Sequence, residues 1–194
     1  MADVNKIKKA LKKELDKERF EHTLGVMYTA QCLAMAHGVD IEQAQLAGLL
    51  HDCAKCIPND QKLSMCQENG IPVNSCEKEN PSLLHAKLGP LVAKKEYAIA
   101  DDAVLHAIAV HTTGEPNMSA LDKVIFIADY IEPLRNKAEH LSEIRRTAFH
   151  HLDEALCMIL RDTIAYLGKN KAANSIDPMT RETFEFYVGG TLDE

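Results

Sequence analysis

No tryptophan occurs in this chain, and no apolar run approaches the roughly 20 residues that a membrane-spanning helix needs. The N-terminus, MADVNKIKKALKKELDKERF, also lacks the apolar stretch of a secretion signal. A spanning segment and export are therefore excluded, and cytoplasmic residence is the expectation. Net positive charge is missing too: at −7, the overall field gives nucleic acid nothing to bind. The lysines gather in the first twenty residues, interspersed with Glu14, Asp16 and Glu18, which is the pattern of a solvated helix face. The six cysteines lack the second close pair of a zinc site. Cys53-Ala-Lys-Cys56 follows a helical pattern, not the strand of a thioredoxin-like motif, so the expectation is free thiols in a reducing compartment. Without tryptophan, seven methionines suit a core that adapts its packing.

What is present is ordinary globular material. Hydrophobic residues make up 46% and charged residues 26%, so disorder is excluded for most of the chain. A length of 194 residues suits one core and not two. Helical periodicity dominates. Val4, Ile7, Leu11 and Leu15 share a face, and a second helix runs from about Glu18 to His37 with His22, Val26, Ala30 and Leu33 in one stripe. Gly38 is its left-handed C-cap. Asp40, with Gln43 completing a capping box, starts IEQAQLAGLLHDCAK, which ends near Ile57-Pro58.

Asn59 caps a short helix that stops at Gly70, and IPVNSCEKENPS reads as a loop. LLHAKLGPLVAKKEY follows, with a kink or break expected at Pro90. Asp101 or Asp102 starts AVLHAIAVH, which ends at Thr112-Thr113-Gly114. Ser119 caps ALDKVIFIADYI, whose VIFIA could pass for a buried strand but sits between helix signals. A last helix covers 144–168, and 169–194 is a polar tail of little periodicity. The reading is all-α: a single helical bundle over 1–194, with the functional core at about 18–135.

Chemistry concentrates in three places. His51-Asp52 closes an apolar helix, Asp129 ends the apolar run IFIAD, and His22 lies on an apolar stripe. A buried carboxylate is costly unless something pairs with it. Any one of these residues alone reads as a satisfied core side chain or a local hydrogen-bond partner. Two carboxylates and two imidazoles together are explained by one divalent cation of the transition series.

At this combination the sequence resembles the HD-domain phosphohydrolases, an all-helical superfamily with the signature H…HD…D. The match extends through Arg19-Phe20-Glu21-His22-Thr23-Leu24-Gly25-Val26 and Gly48-Leu49-Leu50-His51-Asp52-Cys53-Ala54-Lys55. It continues at Leu84-His85, His111-Thr112-Thr113-Gly114, Asp122-Lys123 and Ala128-Asp129-Tyr130-Ile131-Glu132-Pro133-Leu134-Arg135, and again at Ile176-Asp177-Pro178-x-Thr180. The order and spacing are similar to the YqeK branch. Cys53 stands where a larger or more varied residue is expected, and FEFYVGGTLDE matches no pattern.

The resemblance implies a bacterial, cytoplasmic enzyme that cleaves diadenosine tetraphosphate symmetrically, binds iron (or manganese or zinc) and often forms homodimers. It implies metal ligation by His22, His51, Asp52 and Asp129. A catalytic set would be Asp52, Asp129, His85 and His111, with Asp129 open to two roles: ligand, or partner for the proton of the attacking water. Phosphate contacts fall to Arg19, His22, Asp52, Lys55, His85, His111 and Arg135. His85 and His111 have two readings, ligands of a second metal bridged by Asp52 or donors to the phosphate chain. The latter is favoured because few carboxylates remain to neutralise a second cation. Rival functions are an HD phosphohydrolase acting on nucleoside monophosphates or guanosine alarmones, and a non-catalytic nucleotide sensor.

Overall fold

The protein is described by a computed structural model over residues 3–169 and 176–189. Its helices are α1 (Val4–Glu14), α2 (Lys17–His37), α3 (Ile41–Leu50), α4 (Asn59–Glu68) and α5 (Ser75–Glu79). After a 3-10 turn (Pro81–Leu83) come α6 (Leu84–Tyr97), α7 (Asp102–Val110), α8 (Ala120–Ile131), α9 (Leu141–Ala148), α10 (Leu152–Lys169) and α11 (Pro178–Val188). Among the described residues there is no strand, and VIFIA lies within α8. No helix of the described residues is long and apolar enough to cross a membrane.

Helix α2 is the hub. Val26, Met27, Ala30 and Leu33 lose all exposure where α2 meets α3 and α8. The approach of α3 is close enough that a Cβ at Gly48 would stand 3.0 Å from the Met27 Cα, so a larger residue would have to push the two backbones slightly apart. Helix starts follow their caps: Asp16, Asp40, Asp101 and Ser119 each accept backbone N–H groups of the turn they begin. Ser119 and Asp122 form a full capping box. The box expected at Asp40 is only half made, because the Gln43 amide donates to Asp101 Oδ2 at 2.9 Å and ties α3 to the start of α7.

Several expectations are corrected. Helix α3 stops at Leu50, and residues 51–57 continue in tight turns with i→i−3 bonds such as Cys53 N–H to Leu50 O and Lys55 N–H to Asp52 O. From this turn His51 Nε2 and Asp52 Oδ2 come within 3.4 Å of each other. Pro90 does not break α6, which runs on to Tyr97 with Leu88, Gly89, Val92 and Ala93 buried; packing there outweighs the lost hydrogen bond. The segment read as a loop after Gly70 contains α5 and the 3-10 turn.

The single C-terminal helix is two. α9 and α10 are separated at the exposed Phe149-His150-His151, a break that no glycine or proline marks. The polar tail holds α11, begun by Asp177 as N-cap and Pro178 in the first turn. Its fully buried positions are Thr180 and Thr183, with Phe184, Tyr187 and Val188 partly buried against the core, so hydropathy marks it weakly. Asp177 accepts from Asn74 Nδ2 at 2.8 Å, and Tyr187 Oη accepts the Met118 N–H at 2.7 Å. Residues 170–175 and 190–194 of the expected tail lie outside the described residues.

His106, on the exposed side of α7, bridges Asp122 (3.0 Å) and Glu115 (2.9 Å). Burial lowers its pKa, and the hydrogen bond and charge of Asp122, joined by Glu115, outweigh that and raise it. A raised folded-state pKa contributes stability that is complete below the unfolded value of about 6.5 and is lost as pH rises through the folded one. His106→Ala should therefore lower the melting temperature more at about pH 6 than at about pH 9. Equal losses at both pH values in thermal melts would remove the ion pair from the account.

Candidate metal centre

The site is assembled from the ends of helices. His22 comes from the second turn of α2, His51 and Asp52 from the turn that ends α3, and Asp129 from the last turn of α8. His85 comes from the first turn of α6, and His111 caps α7. Five of the six are buried, and Asp129 keeps about a quarter of its side-chain surface.

Four donor atoms face one another. His22 Nε2 stands 3.0 Å from Asp129 Oδ1 and 3.8 Å from Asp52 Oδ2. His51 Nε2 stands 3.4 Å from Asp52 Oδ2, 3.9 Å from Asp129 Oδ1 and 3.3 Å from His22 Nε2. Donors about 2.1 Å from a shared ion lie roughly 3 to 3.4 Å apart, so the spacing suits a cation with slight adjustment. On the other side of Asp52, Oδ1 lies 3.2 Å from His85 Nε2 and 3.8 Å from His111 Nε2, and those two nitrogens are 3.1 Å apart. Thr112 Oγ1 stands 3.1 Å from His111 Nε2.

The outward nitrogens decide the protonation. His51 Nδ1 lies 2.8 Å from Gly48 O, His85 Nδ1 2.7 Å from Ser82 O and His111 Nδ1 2.7 Å from Ile108 O. A carbonyl only accepts, so each Nδ1 carries a proton, and in a neutral ring the Nε2 turns its lone pair inward. His22 Nδ1 is held the same way, 3.1 Å from the buried carboxylate of Glu132. Imidazoles anchored through one nitrogen by a carbonyl or carboxylate are the arrangement that metal-binding histidines use.

The surroundings keep the carboxylates ionised. Burial would raise the Asp52 carboxyl, but the charge and hydrogen bond of His51, with His85 and His111 behind it, hold it well below the usual carboxylate range. Burial and the neighbouring His85 and His51 push His111 down to about 3, so its ring is neutral at physiological pH. His51 moves the other way: burial lowers it, and Asp52 and Asp129 outweigh burial and raise it. Ionised carboxylates among inward imidazole nitrogens are donors that a divalent cation accepts.

The basic residues flank this centre. Arg19 Nη1 reaches Asp52 Oδ2 at 2.7 Å and Arg135 Nη2 reaches Asp129 Oδ1 at 2.8 Å. Both line a cleft of about 520 Å³ that also takes in His22, Asp129, Tyr130 and Lys137. Lys55 lies on the opposite side, its Nζ 3.3 Å from His85 Nε2.

Sequence reasoning gave Glu132 no role, although it stands three residues past Asp129 and just before Pro133. Besides holding His22, it accepts the Leu134 N–H at 2.7 Å. Gly25, one turn beyond His22, makes room for it: a Cβ there would stand 2.6 Å from Glu132 Oε2. Glu132→Gln and Gly25→Ala should each weaken metal retention on the order of 10- to 100-fold, the usual cost of losing such an anchor. Competition with a chelator measures it, and wild-type retention in both variants would show that the His22 anchor is dispensable.

A model of the HD domain matches residues 19–134. The chain is 35% identical to the "Bis(5'-nucleosyl)-tetraphosphatase, symmetrical" of Bacillus subtilis, over 93% of this chain and 95% of that one. It is 38% identical to the protein of the same name from Halalkalibacterium halodurans, over 90% and 91%. A crystal structure from Clostridium acetobutylicum, described as a predicted HD superfamily hydrolase involved in NAD metabolism, superposes with a TM-score of 0.91 at 39% identity, covering 97% of this chain and 98% of that one. With its H…HD…D residues gathered at one centre and the domain matched across them, the chain belongs to the HD-domain family.

Proposed function

We propose that this chain is a metal-dependent phosphohydrolase that cleaves diadenosine tetraphosphate symmetrically. Water adds across the central phosphoanhydride, its hydroxyl going to one half and its proton to the other, which gives two ADP. The observation that carries the reading is the convergence of four inward imidazole nitrogens and two carboxylates beside a cleft lined with Arg19 and Arg135. The relatives that cover most of the chain bear the name of this activity.

His22, His51, Asp52 and Asp129 would hold the cation. Their nitrogen-rich donor set favours iron, manganese or zinc over magnesium, with iron first by kinship. When bound, such an ion lowers the pKa of water and withdraws charge from a phosphoryl oxygen. The protein does the rest. Asp129, the most open of the carboxylates, is placed to take the proton of attacking water. Arg19 and Arg135 are already oriented by Asp52 and Asp129 and present guanidinium edges to phosphate in the cleft. Lys55 adds a point charge beside His85. Homodimer formation and cytoplasmic residence rest on kinship alone.

For His85 and His111 the geometry favours the second-cation reading over donation to phosphate. Their Nδ1 protons are committed to carbonyls, which leaves both Nε2 atoms as acceptors 3.1 Å apart next to Asp52 Oδ1. Elemental analysis tests this: two ions per chain are expected, falling to one in His111→Ala. One ion in both proteins would return these histidines to phosphate contact.

His51→Ala or Asp52→Ala should abolish turnover, at least a thousandfold, and empty the first site while helical circular dichroism persists. Unchanged metal content would refute the ligand assignment. Screening the metal-loaded protein against diadenosine tetraphosphate, nucleoside monophosphates and guanosine tetraphosphate tests the substrate. ADP as the sole product of the first is expected. Cleavage of monophosphates alone would favour the rival hydrolase, and binding without turnover the sensor.

A further inference from the structure

An α-helix leaves its last four carbonyls without partners inside the helix. At the end of α8 this matters, because Asp129 lies in that last turn, Glu132 is the C-cap, and Pro133 after it has no N–H to offer back. Two guanidinium groups fill the gap. Arg135 Nε donates to Asp129 O at 3.1 Å. Arg145, from α9, takes two more: its Nε donates to Ile131 O at 2.8 Å and its Nη2 to Glu132 O at 2.7 Å. The same Nη2 reaches across the turn to Arg135 O at 2.9 Å. All three bonds go to main-chain oxygens, so none of them is an ion pair. A planar charged fork can span three such oxygens, and a single ammonium on a flexible stem cannot. Arg145 is half-buried, and Ile144 beside it is fully buried, which seats α9 on the core.

The segment held in this way has no helix of its own between 132 and 140. Glu132 O also accepts the Arg135 N–H at 3.0 Å, closing a turn around Pro133 and Leu134, and Glu132 Oε2 accepts the Leu134 N–H. At the far end His140 Nδ1 meets Asp162 at 2.9 Å. Between those ties, residues 134–138 form one wall of the cleft of about 520 Å³, beside Arg19 and Asp129. Arg145 is not part of the lining, yet it holds the backbone from which Arg135 reaches the cleft.

We propose that Arg145 is a positioning residue for substrate binding: it clamps the carbonyls of Ile131, Glu132 and Arg135 and so preforms the cleft wall that carries Arg135. A preformed wall spares the ordering cost that binding would otherwise meet. What fills the cleft rests on the phosphohydrolase reading above; the clamp does not.

The test uses the full chain, metal-loaded, with Arg145→Ala, with Arg145→Lys, which keeps the charge and loses the fork, and with Arg146→Ala as a control. Arg146 is the exposed neighbour on α9, and its loss changes the net charge equally. For Arg145→Ala we expect about a tenfold rise in KM for diadenosine tetraphosphate with kcat near wild type, because Glu132 keeps its own bond to His22. Arg145→Lys should recover little of the KM, and Arg146→Ala should match wild type. Calorimetric binding of inorganic tripolyphosphate, which needs no turnover, should weaken by a similar factor in both Arg145 variants. Amide exchange in metal-free protein should quicken at Leu134 and Arg135 in those variants alone. Unchanged KM and tripolyphosphate affinity in a folded Arg145→Ala or Arg145→Lys protein would overturn the proposal, as would an equal loss in Arg146→Ala. If wild type fails to cleave the tetraphosphate while tripolyphosphate affinity and amide protection fall only in the Arg145 variants, the clamp stands and the hydrolase reading falls.

Discussion

The structure depends on how four imidazole rings are anchored. Each gives its Nδ1 proton to an acceptor of the surrounding fold, so each Nε2 points to the same small volume as Asp52 and Asp129. For His51 and His111 the acceptor is a carbonyl in the last turn of their own helix. Such carbonyls have no partner within the helix, so the ring satisfies a helix end and fixes its own orientation in one hydrogen bond. His22, in the middle of α2, has no free carbonyl nearby and is held by Glu132 across the gap kept open at Gly25.

The turn after α3 lets the Gly48 carbonyl accept from His51 Nδ1 at 2.8 Å and holds His51 Nε2 3.4 Å from Asp52 Oδ2. It also buries Asp52 almost completely, so its two oxygens can serve two neighbourhoods, Arg19, His22 and His51 on one side and His85 and His111 on the other. In so dry a place these charges interact far more strongly than they would in water.

The rest of the fold supports those helix ends. Gln43 ties α3 to the start of α7 through Asp101, and the buried Asp122 links the α8 capping box to His106 on α7. Helix α11 reaches back to Asn74 through Asp177 and to Met118 through Tyr187, bracing the segment that follows His111 and Thr112. None of these residues touches the centre. Each limits how far the helices carrying its imidazoles and carboxylates can shift.

Much of this was determined by local sequence. Periodicity and caps placed α2, α7 and α8, because an apolar stripe and an Asp or Ser cap act within a few residues of one another. His22, His51, Asp52 and Asp129 stood out because polar groups on apolar stretches need partners. The tertiary structure alone decided what depends on distant neighbours. Pro90 stayed within a helix because packing held it, and α11 formed with threonines inward because it found α10 and the Gly114 turn to lie against. Glu132 became the anchor of His22, 110 residues away in the chain. A sequence displays which residues carry charge and which are apolar; which charges end up sharing one dry volume is settled only when the helices pack.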